Sequence, residues 1–247
     1  MRRFLFPIFK SIWNRREVKF LMAFSFLPLI VPLLTNSPDM ETFYVAKSSA
    51  SLFTFIIVVL QSQYKLVLPT LIFSYIIYLT LRDEFSSGTM FLYKDLRKSV
   101  IFNTKVISLC LLYLLYLVVS LLTSVFIFYL FLNTSDQIFS SNPSLFGQEL
   151  VSFLAIIMLN IVAVFITIAF SMYANRAATI VMSIFFVLLS VIAPRLQLLQ
   201  YVFPNGYVNT ISTFGIGISI FIALSISLTY ILSSYVIAYR KFIKIEF

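Results

Sequence analysis

Apolar residues run in long stretches along most of this chain, and polar residues are confined to short segments between them. A helix needs ~18 or more mainly apolar residues to cross a bilayer. A transmembrane barrel would instead show ~10-residue segments of alternating polarity, and runs such as 106–132 are solidly apolar. The pattern predicts six crossings, over 20–34, 64–81, 106–132, 150–173, 177–193 and 214–239. The expected fold is an all-α integral membrane protein, one transmembrane domain over 1–247 with no room for a soluble catalytic domain. A further apolar run, 48–60, reads either as an outer interfacial or re-entrant helix or as an outward extension of the second span.

Ahead of the first span, residues 1–19 are basic. Phe4, Ile8, Phe9, Ile12 and Trp13 recur in them at three-to-four spacing. That pattern predicts an amphipathic helix lying on the membrane surface, its basic side near anionic lipid. It serves as a lipid anchor, as a lever to a cytoplasmic partner, or as both.

Composition agrees with a lipid solvent. The chain is 61% hydrophobic and 11% charged, where soluble domains carry about 25% charged residues. The net charge of +9 does not mark a nucleic-acid binder, because its sources fall on one side of the membrane. With six spans and an inside N-terminus, 15 of the 18 Lys and Arg lie inside; Lys47, Lys65 and Arg195 lie outside. This is a strong positive-inside bias. Counting 48–60 as a seventh span abolishes it, so six spans are preferred. Both termini are then cytoplasmic, and the plasma membrane of a bacterium is the expected setting.

Several chemistries drop out. The chain has no histidine, which removes the usual general base and the commonest metal ligand. Its one cysteine, Cys110, sits in an apolar run and pairs with nothing alone. No Gly-x-x-x-x-Gly-Lys-Ser/Thr run is present to cradle phosphates. The expectation is a protein without catalytic or metal-binding residues and without a cofactor of its own.

The polar segment after the second span carries the most specific signal. It reads Arg82-Asp83-Glu84-Phe85-Ser86-Ser87-Gly88-Thr89-Met90, then Phe91-Leu92-Tyr93-Lys94-Asp95-Leu96. Gly88 and the serines break a membrane helix, and Thr89 is suited to cap the next one. Phe91, Leu92 and Leu96, flanked by charge on the wet side, predict a docking surface. Glu84-x-x-x-Gly88-Thr89, together with six spans and the amphipathic start, resembles the permease subunits of type-2 ABC exporters, the ABC-2 family. The resemblance covers the layout of the whole chain and about ten residues of motif.

The resemblance implies a cytosolic coupling helix over 85–99, and Glu84, Gly88, Thr89, Phe91, Leu92 and Leu96 as the elements coupled to the ATPase. It implies ATP and magnesium on separate cytosolic ATPase subunits, two of them. It also implies a second permease chain, identical or different, and an extracellular re-entrant loop over 194–213. The cargo is expected to be amphipathic or hydrophobic, with a peptide, toxin or drug preferred for efflux.

Helical faces supply further candidates. Asn160, Thr167, Ser171 and Asn175 share a stripe of the fourth span, and Tyr113, Tyr116, Ser120 and Thr123 share a face of the third. They line a path or hydrogen-bond between helices. Gly215, Ser219, Ala223 and Ser227 form a small-residue ladder on the sixth span, suited to close helix packing. The competing class is a channel or ion-coupled transporter, which wants intramembrane carboxylates or broken helices at midplane.

Overall fold

The computed structural model describes residues 2–30, 51–83, 97–132, 143–197 and 199–244. Every regular element among them is helical. We number the helices α1 (Arg2–Trp13), α2 (Arg16–Phe24), α3 (Leu52–Lys65), α4 (Leu68–Tyr78) and α5 (Lys98–Ile127). These are followed by α6 (Pro143–Tyr173), α7 (Arg176–Ile192), α8 (Ile211–Phe214) and α9 (Ile216–Lys244). Helix α4 runs on as a π-helical turn, Leu79–Asp83, and α5 as another, Phe128–Leu132. Short 3-10 turns occupy Leu27–Ile30, Ala193–Arg195 and Pro204–Val208.

Four helices, α5, α6, α7 and α9, are each long and apolar enough to cross a membrane. The chain is therefore a membrane-embedded, all-α protein. Helices α3 and α4 meet the same test only as a pair, and they bend by 61°, which makes five crossings if the pair counts as one span. The expected second span, 64–81, thus begins inside α3 and is interrupted. The cause is Pro69 in the first turn of α4. Proline offers no N–H to Lys65, and its ring clashes with the carbonyl four residues back. The chain turns at Val67, whose φ of +63° is the left-handed value that a β-branched side chain resists. In the described part of the 48–60 run, 52–60 belong to α3, which is joined to α4 through the bend.

The pair runs the length of the bundle rather than looping back. Phe53 at the start of α3 packs against Phe146 and Phe153 of α6, near the start of that helix. Arg82 at the end of α4 donates to the carbonyl of Met172, near the other end of α6. Of the expected first span, 20–34, the described part is α2 and the 3-10 turn to Ile30; the rest lies outside the described residues. So do 84–96, which carry most of the expected coupling helix 85–99; Lys98 and Ser99 form the first turn of α5.

Helix α6 is the hub, touching α3, α4, α7, α9 and the Pro204–Val208 turn. Its closest companion is α9, and the buried face of α9 explains why. Ser219, Ala223 and Ser227 are all buried there, continued by Ser234 and Ala238. Small side chains let two helices approach closely, which matters in lipid, where apolar burial alone drives no association. Gly215 does not join this face. It is exposed, has φ of +80°, and an added Cβ would meet nothing within 4 Å. It is the turn residue between α8 and α9. The outward faces of α7 and α9, with Val181, Phe185, Phe221 and Leu228, expose large apolar groups, as a lipid-facing surface does.

Two apolar cores stack along the bundle. One gathers Leu21, Ile76, Ile101, Phe102 and Phe242. The other gathers Phe55, Ile127, Phe128, Leu159 and Phe203. Helix α1 packs on α5, and its buried Ile12 joins the first core. The amphipathic helix is thus part of the bundle as well as basic on its other side.

The first core adjoins an end rich in cations, the basic end. There Arg176 pairs with Asp83 at 3.4 Å and lies over the rings of Tyr75 and Tyr78. Lys241 lies over Tyr173, and Lys98 donates to the carbonyl of Ile243. Lys105 is fully buried and its amine donates at 2.8 Å to the carbonyl of Thr80, inside the π-helical turn. Such a turn shifts the backbone register, and the lysine takes up a carbonyl within it.

Candidate functional site: a buried polar belt at the broken helix

Between the two cores, near the break at Val67, polar side chains gather. Gln63 in the last turn of α3 is 5% exposed and is their centre. Its Oε1 accepts from the Ser120 hydroxyl at 2.9 Å and from Tyr116 at 3.4 Å. Its Nε2 donates to the carbonyl of Phe24 at 3.4 Å. Thr123 donates to the carbonyl of Ser25 at 2.8 Å. One glutamine therefore ties together α2, α3 and α5. The residues 24–25 matter because α2 ends there and leaves carbonyls without intrahelical partners. The belt supplies donors that lipid cannot.

A small cavity of about 40 Å³ adjoins the belt. That is room for a few waters, since one needs roughly 10–15 Å³ on this measure. Pro69, Thr70 and Phe73 wall it on the broken helix, Tyr113 and Tyr116 on α5, and Asn160 and Thr167 on α6. Four of the five path-lining candidates thus converge on one space. The fifth, Ser171, is buried elsewhere and donates to the carbonyl of Ile168 in its own helix. Asn175, on the same stripe, accepts from the Ala178 amide at 2.9 Å as the N-cap of α7.

Interhelical hydrogen bonding accounts for part of this set. Thr167 and Ser183 join α6 to α7 at 2.9 Å. The Asn160 amide donates only to the carbonyl of Ile156, one turn back, which leaves the rest of its side chain to the cavity. Sequence reasoning passed over Gln63, which lies between the apolar run 48–60 and the start of the expected second span. The signal was present, since a glutamine inside an apolar stretch needs partners.

Each chemistry the cavity offers is neutral. Tyr113, Tyr116, Asn160 and Thr167 supply hydroxyls and an amide. Among the described residues no group of His, Cys, Asp or Glu is placed to hold a metal ion. The residues Glu84, Gly88, Thr89, Phe91, Leu92 and Leu96, expected to couple to an ATPase, all lie outside the described residues.

At the other end of the bundle the segments 194–197 and 199–210 fold back over the helices. The Pro204–Val208 turn packs on both α6 and α9, with Phe203, Pro204, Gly206 and Tyr207 buried. Gly206 is needed for close approach, since a Cβ there would sit 1.8 Å from the carbonyl oxygen of Gln200.

Fold and belt together define a polytopic α-helical membrane protein with a polar layer inside the bundle and a broken helix beside it. No family model, curated protein or solved structure matches this chain.

Proposed function

We propose that this chain is a membrane-spanning permease subunit of an ATP-driven exporter of the ABC-2 type. The observation that carries the reading is the arrangement of the basic end. Glu84, Gly88 and Thr89 lie in sequence between Asp83 and Arg97, and both of these flanks belong to the basic end. A cytosolic face that receives an ATPase needs such a segment on the positively charged side.

In this reading both termini are cytoplasmic, in the plasma membrane of a bacterium. Two ATPase subunits carry ATP and magnesium and press on Phe91, Leu92 and Leu96. A second permease chain, identical or different, completes the path for an amphipathic or hydrophobic cargo such as a peptide, toxin or drug. The belt cavity takes water rather than cargo at its present size, so it belongs to a closed state. The broken helix supplies the joint about which α4 moves. The ion-coupled alternative gains from that same break but lacks a carboxylate in the cavity among the described residues.

The test is purification of the full chain from its native membrane in mild detergent. The expected result is a stoichiometric soluble P-loop ATPase that leaves on Phe91→Asp or Leu92→Asp, with ATP hydrolysis stimulated by the intact pair. A chain that purifies without an ATPase, and moves cargo on an ion gradient alone, overturns the reading.

A further inference from the structure

We infer that a second cavity, at the end opposite the basic end, binds a phosphate-bearing headgroup of an anionic phospholipid. The cavity measures about 250 Å³ and does not depend on the transport reading. Four separate stretches of chain build it: the end of α3, the first half of α6, the end of α7, and the Pro204–Val208 turn with Asn209.

Charge is the first argument. Of the 18 Lys and Arg, the six-span reading puts three, Lys47, Lys65 and Arg195, on the outer side, and two of these three line this one cavity. Neither Lys65 nor Arg195 forms an ion pair among the described residues. Both line the same space with exposed side chains, and an anion held between them gains from two charges at once.

Hydrogen bonding is the second argument. Asn205 donates its Nδ2 to the carbonyl of Ser190 at 2.8 Å, which fixes the amide. Its Oδ1 is then left buried with no hydrogen-bond partner. That acceptor is shut away from the open space, so Asn205 serves as a fixed part of the cavity wall. The surroundings are held firmly: Tyr64 and Ser190 hydroxyls meet at 2.6 Å, and Asn209 donates to the carbonyl of Pro194 at 3.3 Å.

The third argument selects a lipid over a free phosphate ester. The cavity wall includes Ile156, Leu159 and Val191. Just outside it Leu66, Ile192 and Leu196 expose apolar surface. A headgroup between the cations leaves its acyl chains along that surface, the division of labour expected where basic pockets meet lipid.

The experiment titrates the purified full-length chain, in a neutral detergent, with three probes while its melting temperature is followed. The probes are dioctanoyl phosphatidylglycerol, dioctanoyl phosphatidylcholine and glycerol 1-phosphate. The expected result is a saturable rise with phosphatidylglycerol and none with phosphatidylcholine. Arg195→Gln, at an exposed side chain, is expected to weaken the midpoint about 10-fold, and Lys65→Gln with Arg195→Gln about 100-fold, one charge-assisted contact being lost at each step. Lys241→Gln, at the basic end, leaves the midpoint unchanged. A matching rise with glycerol 1-phosphate makes a free phosphate ester the source of the same chemistry; its absence makes the lipid the source. Equal responses to the two lipids, or an unchanged midpoint in Arg195→Gln, overturn the proposal.

Discussion

The two interior spaces of this bundle differ in every respect that decides what a cavity does. The belt cavity is small and neutral, and lies between the apolar cores against helices that pass straight through, except at the break in α3–α4. The opposite-end cavity is larger, faces two cations, and is roofed by a turn rather than a helix. The first holds helices together and admits water. The second carries unbalanced charge, which structure alone does not require. Polar groups that satisfy one another are architecture; charge left facing a space is a demand for a ligand.

Substitutions separate these roles, and we order them by expected size. Gly206→Ala has the largest effect, because its Cβ meets the backbone of Gln200 and not a yielding side chain. We expect a cost of about 3 kcal/mol and a melting temperature lower by roughly 6–12 °C, with the lipid-induced rise lost as well. Gln63→Leu comes next. It removes the acceptor for Ser120 and Tyr116 and the donor to Phe24. A loss of about 2 kcal/mol follows, seen in thermal unfolding, while the response to phosphatidylglycerol stays as in the unaltered chain. If that response falls too, the two spaces are coupled and the comparison fails.

Tyr64→Phe tests the wall of the opposite-end cavity. It breaks one buried hydrogen bond to Ser190, so about 1 kcal/mol is expected in the same assay. Thr167→Val is the smallest. It severs the link to Ser183, which still donates to the carbonyl of Thr179. The expected cost is about 0.6 kcal/mol, the typical worth of such a bond between membrane helices; a loss several times larger would mean the belt cavity is structural throughout.

What sequence disclosed and what it withheld follow from the range of each pattern. The long helices were legible because apolar length is a local property, and α6, α7 and α9 lie close to the expected spans. The polar stripes of α5 and α6 were legible because side chains four residues apart share a helix face. The ladder Ser219, Ala223 and Ser227 was legible for the same reason. That rule also overreached by one turn: Gly215 fits the spacing but lies before the helix begins. The break in the second crossing had a local cause, Pro69, which an apolar average hides. The opposite-end cavity had no such signature. Lys65, Ser152, Arg195 and Asn205 meet only after four distant segments pack, and no periodicity within one element reports that. The two cations on the expected outer side were the one hint.

The bend at Val67 also sets a mechanical gearing. Sixteen residues separate Leu68 from Asp83 inclusive, which at 1.5 Å per residue is an arm of roughly 24 Å. A rotation of about 10° at the joint would carry the far end through about 4 Å on that helical rise. That displacement exceeds the 3.4 Å spanned by the Arg176–Asp83 pair and the 3.2 Å from Arg82 to the Met172 carbonyl. Lys65, which lines the opposite-end cavity, sits two residues from the joint on its short side. A shift of a few tenths of an ångström near that cavity is thereby multiplied into the making or breaking of contacts at the basic end, with no need for the long helices to move.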